Sequence, residues 1–526
     1  MFNLLAWPEV FAQTTPPIQL PLEHGLNRQQ ELKELEAGLN THRSVRPRLQ
    51  LPDTAQAEGA GKNWFLRKAF HEHLIELKQP DWGVQIDLLA DLALGRDLAI
   101  GGNTWLNTRG FQVQGYLGSK LSFTTSFYEN QGLFPAYIDS FIRGYGVVPG
   151  QGRPRPFGTA GAWDYASANG FFTYQPSEFL NFQFGQGQQF VGEGYRSVLM
   201  ADVAFPNPFL RMQAKFGPFQ YTYWLQQMVD IYSKVPSPDI SGGDLFRKKY
   251  AAMSYLDWKV TDRLSLGAFQ SIVWLGDDSL GNSKTIPWQY LNPVILYWPI
   301  QYSTGSEGNF LLAATAAYKT TKYSQAYMQF LIDELHTRKF LAQNGAVVNK
   351  YSFQLGWKDY KAFGVKNLFF LSEFNMVRPY TYSHWSTLTN YGHSGQPIAH
   401  PAGANFKELL GMAEYNWNKA WFASAKAIIM RVGLDSAGLN YGQDIRQNYY
   451  NVPGGIGQLG VPIGWGRPAN SLHLEAAFGR VLNPKTNLRV EVRYIYRHED
   501  MDISTRNTHW FMLGLRSQLR NLYYDY

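Results

Sequence analysis

From Trp82 onward, apolar and polar residues alternate with a period of two. Val84, Ile86, Leu88, Ala90 and Leu92 take one parity, while Gln85, Asp87 and Asp91 take the other. This is the signature of strands with one apolar face. Segments of about ten residues follow one another, each near the length that a tilted membrane strand needs. Eighteen are predicted: 82–94, 109–117, 121–128, 169–174, 179–185, 207–216, 219–228, 249–258, 263–274, 309–318, 323–332, 349–357, 366–376, 404–415, 420–431, 470–480, 487–497 and 508–519. In 323–332, Ala326, Met328 and Phe330 oppose Gln325, Tyr327 and Gln329. In 487–497, Leu488, Val490, Val492, Tyr494 and Tyr496 oppose Arg489, Glu491, Arg493 and Arg497. An Arg facing lipid at mid-depth costs about 2–4 kcal/mol, so these charges are expected in a polar, ion-paired lumen.

The connections sharpen the picture. Tight turns are expected at 118–120, 175–178, 217–218, 259–262, 319–322, 358–362, 416–419 and 481–486. Between them lie 129–168, 186–206, 229–248, 275–308, 333–348, 377–403 and 432–469. The first connection, 95–108, is expected to be long, and the last, 498–507, of moderate length. Strict alternation of short and long connections is what an outer-membrane barrel requires, with short turns in the periplasm and long loops outside. An even strand number returns the chain to the periplasmic side. The predicted fold is all-β: an 18-stranded antiparallel outer-membrane β-barrel over residues 81–526, preceded by a small N-terminal α-helical module, in the bacterial outer membrane.

The module, expected to be periplasmic and to span residues 13–80, starts with a Thr/Pro-rich stretch, 13–21. Helices are expected at 27–40, where Leu32, Leu35 and Leu39 recur at helical spacing, and at 63–78, with a Pro/Ala/Gly-rich connector 47–61 between them. Residues 1–12 read as a truncated signal peptide, with Val10 and Ala12 as the small residues before a cleavage point. His71-Glu72-His73 lacks the spacing of a metal pair on one helical face, and solvated helix polarity is the expected role.

Composition agrees with this architecture. Only 17% of residues are charged and 16% are aromatic, and no window approaches an apolar transmembrane helix. The absence of cysteine excludes disulfides, zinc–thiolate sites and cysteine nucleophiles. The net charge of +7 includes no Lys/Arg block fit for nucleic acid. No catalytic set, metal site or cofactor motif stands out. Gly192-x-Gly194 and 454–457 lack the strand–helix context and the Lys-Ser/Thr of a phosphate loop.

The most distinctive stretch is 190–206, in which Gly192, Gly194, Tyr195, Arg196, Ser197, Asp202 and Ala204 form a G-x-G-Y-R-S…D-x-A block. It resembles the Wzi-like capsule-assembly family of outer-membrane proteins, and within it the Bacteroidetes branch that includes the gliding-motility protein RemB. Val203 stands where that pattern has Asn. The closing Tyr523-Tyr524-Asp525-Tyr526 is also similar to that branch. Taken as an aromatic end after an alternating strand, it resembles the assembly signal of outer-membrane barrels. The resemblance implies a non-enzymatic surface role without cofactor: holding or organising exopolysaccharide. The implied partners are surface polysaccharide, outer-membrane lipid, and capsule-export or gliding and secretion machinery. A sugar or oligosaccharide diffusion channel and an adhesion or motility component are the alternatives.

A glycan site needs aromatic faces for pyranose rings and Arg for carboxylates. The predicted outer loops carry such mixtures: Arg153, Arg155, Trp163 and Tyr165; Tyr195 and Arg196; Arg378, Tyr380, His384 and Trp385; Arg446, Tyr449, Tyr450, Trp465 and Arg467. For any one of these, packing of the loops over the barrel mouth is the competing role.

Overall fold

A computed structural model describes residues 16–51, 63–159, 161–235, 245–278, 280–418, 420–502 and 504–526. The expected signal segment and part of the 47–61 connector lie outside the described residues. Eighteen strands form the barrel: β1 (Trp82–Asp97), β2 (Gly102–Leu117), β3 (Leu121–Leu133), β4 (Ala162–Ser177), β5 (Leu180–Gly187), β6 (Asn207–Phe216), β7 (Phe219–Val235), β8 (Leu245–Lys259), β9 (Leu264–Leu275), β10 (Asn309–Lys319), β11 (Ser324–Glu334), β12 (Lys350–Asp359), β13 (Leu368–Val377), β14 (Phe406–Trp417), β15 (Trp421–Leu434), β16 (Arg467–Asn483), β17 (Leu488–Met501) and β18 (Ser504–Ser517). Each corresponds to one predicted segment. Neighbours in sequence pair antiparallel, and β18 closes on β1 with Trp510 opposite Asp97 and Arg516 opposite Asp91. Closure leaves no unpaired edge, the condition for a sheet in lipid. The chain is an outer-membrane barrel.

The faces divide as the alternation requires. Leu88, Leu92 and Leu94 on β1, Val490, Val492 and Tyr494 on β17, and Leu409, Ile429 and Leu513 elsewhere are exposed on the outer wall. Glu491 and Arg497 on β17, and Tyr327 and Gln329 on β11, are buried inside. The inner charges form a ladder. Arg516 bonds Asp91 and Glu491, each at 3.0 Å, and Arg493 bonds Glu491 at 2.8 Å and Glu475 at 2.7 Å. Lys426 continues it to Glu475 at 3.0 Å.

Four expectations need correction. The first outer connection is not long: β1 and β2 pair down to Asp97–Gly102, leaving a turn at 98–101. Polar residues there resembled a loop but belong to the inner face, where Trp510 Nε1 donates to Thr104 Oγ1 at 2.7 Å. The last connection is equally tight, with Met501 opposite Ser504. Short and long connections therefore do not alternate throughout. The helix expected at 63–78 is only α2 (Trp64–Phe70), and Ile75–Lys78 extends the sheet by pairing with β1. His73 is not solvated: its ring bonds Asp87 at 2.6 Å, and its burial follows from the strand that begins beside it. After β18 the chain turns into the lumen, where Tyr523, Tyr524 and Asp525 are buried.

The lumen is filled. At its periplasmic end sits α1 (His24–Glu36), capped by the Glu23 carboxylate accepting from Leu26 N at 2.7 Å. Its buried face is largely polar, with Asn27, Gln30, Glu31 and Glu34, because Glu31 and Glu34 meet Arg43, Arg46 and Arg48 of the following segment as well as the inner wall. Arg28 pairs with Glu414 on β14, and Glu31 pairs with Lys358 on β12 at 3.2 Å. Beyond α1, Val45–Arg46 pairs with Phe190–Val191. There Val45, Val191, Val198, Leu199, Tyr382 and Tyr391 pack against the inner wall of β7 to β11, forming an apolar core inside the barrel.

Candidate functional site

Two stretches singled out in the sequence meet inside the lumen, beside this core. Residues 190–206 leave the outer end of β5 and descend into the lumen; residues 518–526 enter it from below. Arg196 joins them. Its guanidinium contacts Asp525 at 3.1 Å, the Asp525 carbonyl at 2.8 Å and Glu408 on β14 at 3.5 Å. The rings of Tyr195 and Tyr523 flank it at 5.0 and 5.5 Å. Tyr195 donates to Asp525 at 2.6 Å, and Lys426 bonds the same carboxylate at 2.5 Å. The luminal ladder therefore runs on through Asp525 and Arg196 to Glu408, which His400 bonds at 3.0 Å.

The other block residues complete this latch. Asp202 accepts from Asn521 at 2.8 Å and Tyr523 at 2.7 Å. Ser197 donates to the Val191 carbonyl at 2.6 Å, closing the bend. The backbone N–H groups of Tyr195 and Arg196 donate to Glu373 at 3.0 and 3.1 Å. That approach explains Gly194, where a Cβ would lie 2.0 Å from Glu373 Oε2. Gly192 is at φ +155°, and a Cβ there would meet Gln329 Nε2 at 2.6 Å. Val203, which departs from the pattern that the block resembles, is buried among Phe190, Tyr195 and Ala201.

Electrostatics follow the partners. Burial alone would raise the Asp525 carboxyl, but Arg196 and Lys426 hold it well below the usual carboxylate range. Asp202, bonded to neutral groups and buried, is pushed up. The His24 imidazole, bonded to Tyr523 OH at 2.9 Å, is kept neutral by burial and by Arg46. The cavity beside it, lined by Arg28, Glu31, Tyr195, Lys358 and Tyr360, measures about 20 Å³, room for one water.

The predicted loop residues fall into two groups. Tyr165, Tyr195, Arg196, Arg378 and Tyr380 are buried, with internal partners, and do not present faces to a glycan. Tyr165 belongs to a core with Phe134 and Ile138. Arg378 donates to the carbonyls of Asn349 at 2.9 Å, Ala346 at 3.1 Å and Val461 at 3.2 Å, and Tyr380 to that of Asn440 at 2.6 Å. These side chains tie loops together because each loop carbonyl over the lumen needs a donor.

The second group lies at the outer mouth. Arg446 chelates Asp444 at 2.7 and 2.8 Å, between the rings of Tyr145 at 4.4 Å and Tyr232 at 4.7 Å. Two residues on, Asn448 holds the Trp385 carbonyl, and Trp385 and Tyr450 are exposed. Tyr449 packs on Tyr450 and under Lys350. The His384 ring bonds Thr389 at 2.6 Å. Arg153 lies over Phe246 at 4.5 Å, and Arg155 pairs with Asp164 at 3.2 Å with most of its side chain exposed. Half-buried Trp163 donates to Asp139 at 2.8 Å, Trp465 stacks edge-on to Tyr441, and Arg467 opens β16. Among the described residues, no group of His, Asp and Glu has the arrangement of a metal site. Glu373, Glu408, Lys426 and Asp525 were not foreseen. For the three strand residues, the inward parity of β13, β14 and β15 was the available signal.

No protein-family profile and no curated protein sequence matches the chain. Solved structures do. Wzi of Escherichia coli, an outer-membrane protein involved in group 1 capsule assembly and a carbohydrate-binding β-barrel, aligns over 95% of this chain and 99% of its own, with a TM-score of 0.56 and 13% identity. The chain shares the fold of Wzi. The Pseudomonas aeruginosa barrels OprD and OpdO align over 82% and 83% of the chain and 94% and 96% of their own, each with a TM-score of 0.42, at 12% and 10% identity.

Proposed function

We propose that this chain is a non-enzymatic outer-membrane barrel that binds and anchors surface polysaccharide at its extracellular mouth, with a lumen closed to solute flow. The mouth carries the reading: Arg446 is fixed between two aromatic rings and its own carboxylate, on the same loop as exposed Tyr450 and as Asn448, which holds the carbonyl of exposed Trp385. Flat faces suit pyranose rings, and planar cations suit acidic sugars. Arg153 and Arg155 extend the basic, aromatic surface. The fold likeness to Wzi, a carbohydrate-binding barrel, supports the same substrate class. The packed lumen supports a closed barrel, with α1, the 190–206 segment and the closing residues as its plug. Capsule-export or gliding machinery would act on the glycan held there.

The test is titration of the purified barrel with the exopolysaccharide of its host. Saturable binding that falls in Trp385→Ala and Tyr450→Ala variants is expected; no binding by the native barrel overturns the proposal. Planar bilayers should stay silent. Stable conductance that oligosaccharide blocks would replace this function with that of a sugar channel.

A further inference from the structure

The sequence predicts a long outer loop between β9 and β10, and its placement is different. It carries α3 (Trp288–Leu291) and α4 (Tyr297–Thr304). Instead of standing above the mouth, it folds down the outer wall of the barrel. Tyr290 and Tyr297 are fully buried against Tyr223, Ala252, Ile272 and Trp274. These wall residues point away from the lumen: Tyr223 is adjacent to Trp224, which faces inward and donates to Gln189 in the plug at 3.1 Å.

The wall beneath is shaped for this segment. Three outward polar side chains, Tyr221, Tyr223 and Gln270, sit where lipid-facing apolar residues would stand. Each donates to a carbonyl of the segment: Tyr221 to Pro293, Tyr223 to Tyr290 at 2.9 Å, and Gln270 to Ile295 at 2.8 Å. Gln270 also accepts from Tyr297 N at 3.1 Å. Irregular backbone survives at membrane depth only where protein satisfies its polar groups. Depth follows from strand position. Tyr223 and Gln270 lie four and six residues from the periplasmic ends of β7 and β9. With tilted strands that is about 10–15 Å above the turns, inside an apolar band about 25 Å tall.

The composition of the segment fits the same location. No charged residue occurs between Lys284 and Glu307, in a chain that is 17% charged. Pro287, Pro293 and Pro299 remove backbone donors that lipid would leave unpaired. The residues turned away from the wall are Trp288, Val294, Leu296, Trp298 and Tyr302, exposed by 60–83%. They continue the lipid-facing surface on which Leu210 and Leu312 are also exposed. We infer that residues 285–306 form a membrane-embedded flap whose outer face contacts the acyl chains of the bilayer.

The chain has no cysteine, so single-cysteine labelling is clean. Nitroxide labels at Leu296→Cys and Trp298→Cys would be compared in bilayer nanodiscs with Leu94→Cys on the lipid belt and Tyr450→Cys at the mouth. The expected result is high oxygen and low nickel-chelate accessibility at 296 and 298, matching Leu94→Cys. Hydrocarbon excludes the polar chelate by well over ten-fold. Nickel accessibility like that of Tyr450→Cys overturns the flap, and low accessibility to both colliders overturns lipid as its occupant in favour of a second copy or another protein. If a cysteine variant fails to fold, fluorescence quenching by brominated lipid in Trp288→Phe and Trp298→Phe barrels decides. A loss relative to the native barrel supports the flap, and no loss overturns it.

Discussion

Replacing Arg196 with Met removes the cation that joins the closing residues to the 190–206 block. Its side chain is completely buried, between Asp525 at 3.1 Å and Glu408 at 3.5 Å. Removing one partner of a buried ion pair costs about 3–5 kcal/mol, because the other charge stays desolvated. Here both anions keep some compensation. Asp525 retains Lys426 at 2.5 Å and Tyr195 at 2.6 Å, and Glu408 retains His400 and Asn375, each at 3.0 Å. The lower end of the range, about 3 kcal/mol, is therefore expected. It should appear as local opening, since the strand ladders do not depend on Arg196. At about 1.4 kcal/mol per factor of ten, the open fraction of the latch rises roughly a hundred-fold. Hydrogen exchange reads this directly: amides of 521–526 and 195–198 should exchange about a hundred times faster, with strand amides unchanged. The pH dependence has a definite sign. The depressed Asp525 contributes stability above the ordinary carboxylate range and loses it only as pH falls through its lowered value. In Arg196→Met that loss moves to higher pH. Exchange at 521–526 within two-fold of native would refute the latch.

Gly194→Ala should open the same latch, since its Cβ would meet Glu373 Oε2 at 2.0 Å; about 1–3 kcal/mol is expected from such overpacking. Gly457→Ala, with nothing within 4 Å, should leave exchange unchanged. His393 accepts from Val229 N at 3.1 Å, and burial, aided by Lys249, lowers it to about 3. Because the unfolded chain takes up this proton first, stability falls as pH drops below about 6.5. Between pH 7 and 5 the loss is about 2 kcal/mol, and His393→Asn should remove that much of the dependence in denaturant titrations. Arg446→Lys keeps the charge but loses the planar chelate of Asp444; about ten-fold weaker polysaccharide binding at unchanged stability is expected.

The eighteen strands were legible because lipid imposes the same demand on every outward position. Val490, Val492 and Tyr494 alternate with Glu491, Arg493 and Arg497 whatever fills the lumen. Period two carries no information about the other side of the wall. It does not tell whether inward Asp97 and Thr104 are strand or loop, so the first outer turn was read as long. Nor does it reveal that α1 buries Glu31 and Glu34 beside Leu35, since that depends on Lys358 far along the chain and on Arg43 and Arg48 just past the helix. The segment with α3 and α4 escapes the pattern for a related reason. Its lack of charge was visible, but Gln270, which receives it, looked like any polar residue in a strand.

Tyr195 and Arg196 show where chemistry alone stops. They were singled out because an Arg beside an aromatic ring recognises a carboxylate, and in the structure Arg196 does this, flanked by Tyr195 and Tyr523. The carboxylates are the protein's own, Asp525 and Glu408. The same residue types at Arg446 have satisfied their charge with Asp444 yet stay at the surface, between the rings of Tyr145 and Tyr232, on a loop where Tyr450 remains exposed. An internal carboxylate that fully buries its Arg makes a fastener; one that fixes an Arg at an open aromatic surface makes a preorganised contact. Arg196 and Arg446 therefore take different roles from similar local chemistry. Loss of Arg196 should change exchange and leave initial glycan affinity intact, while loss of Arg446 should do the reverse. If both variants lost glycan binding and latch protection together, the fastener and the mouth would be one cooperative unit.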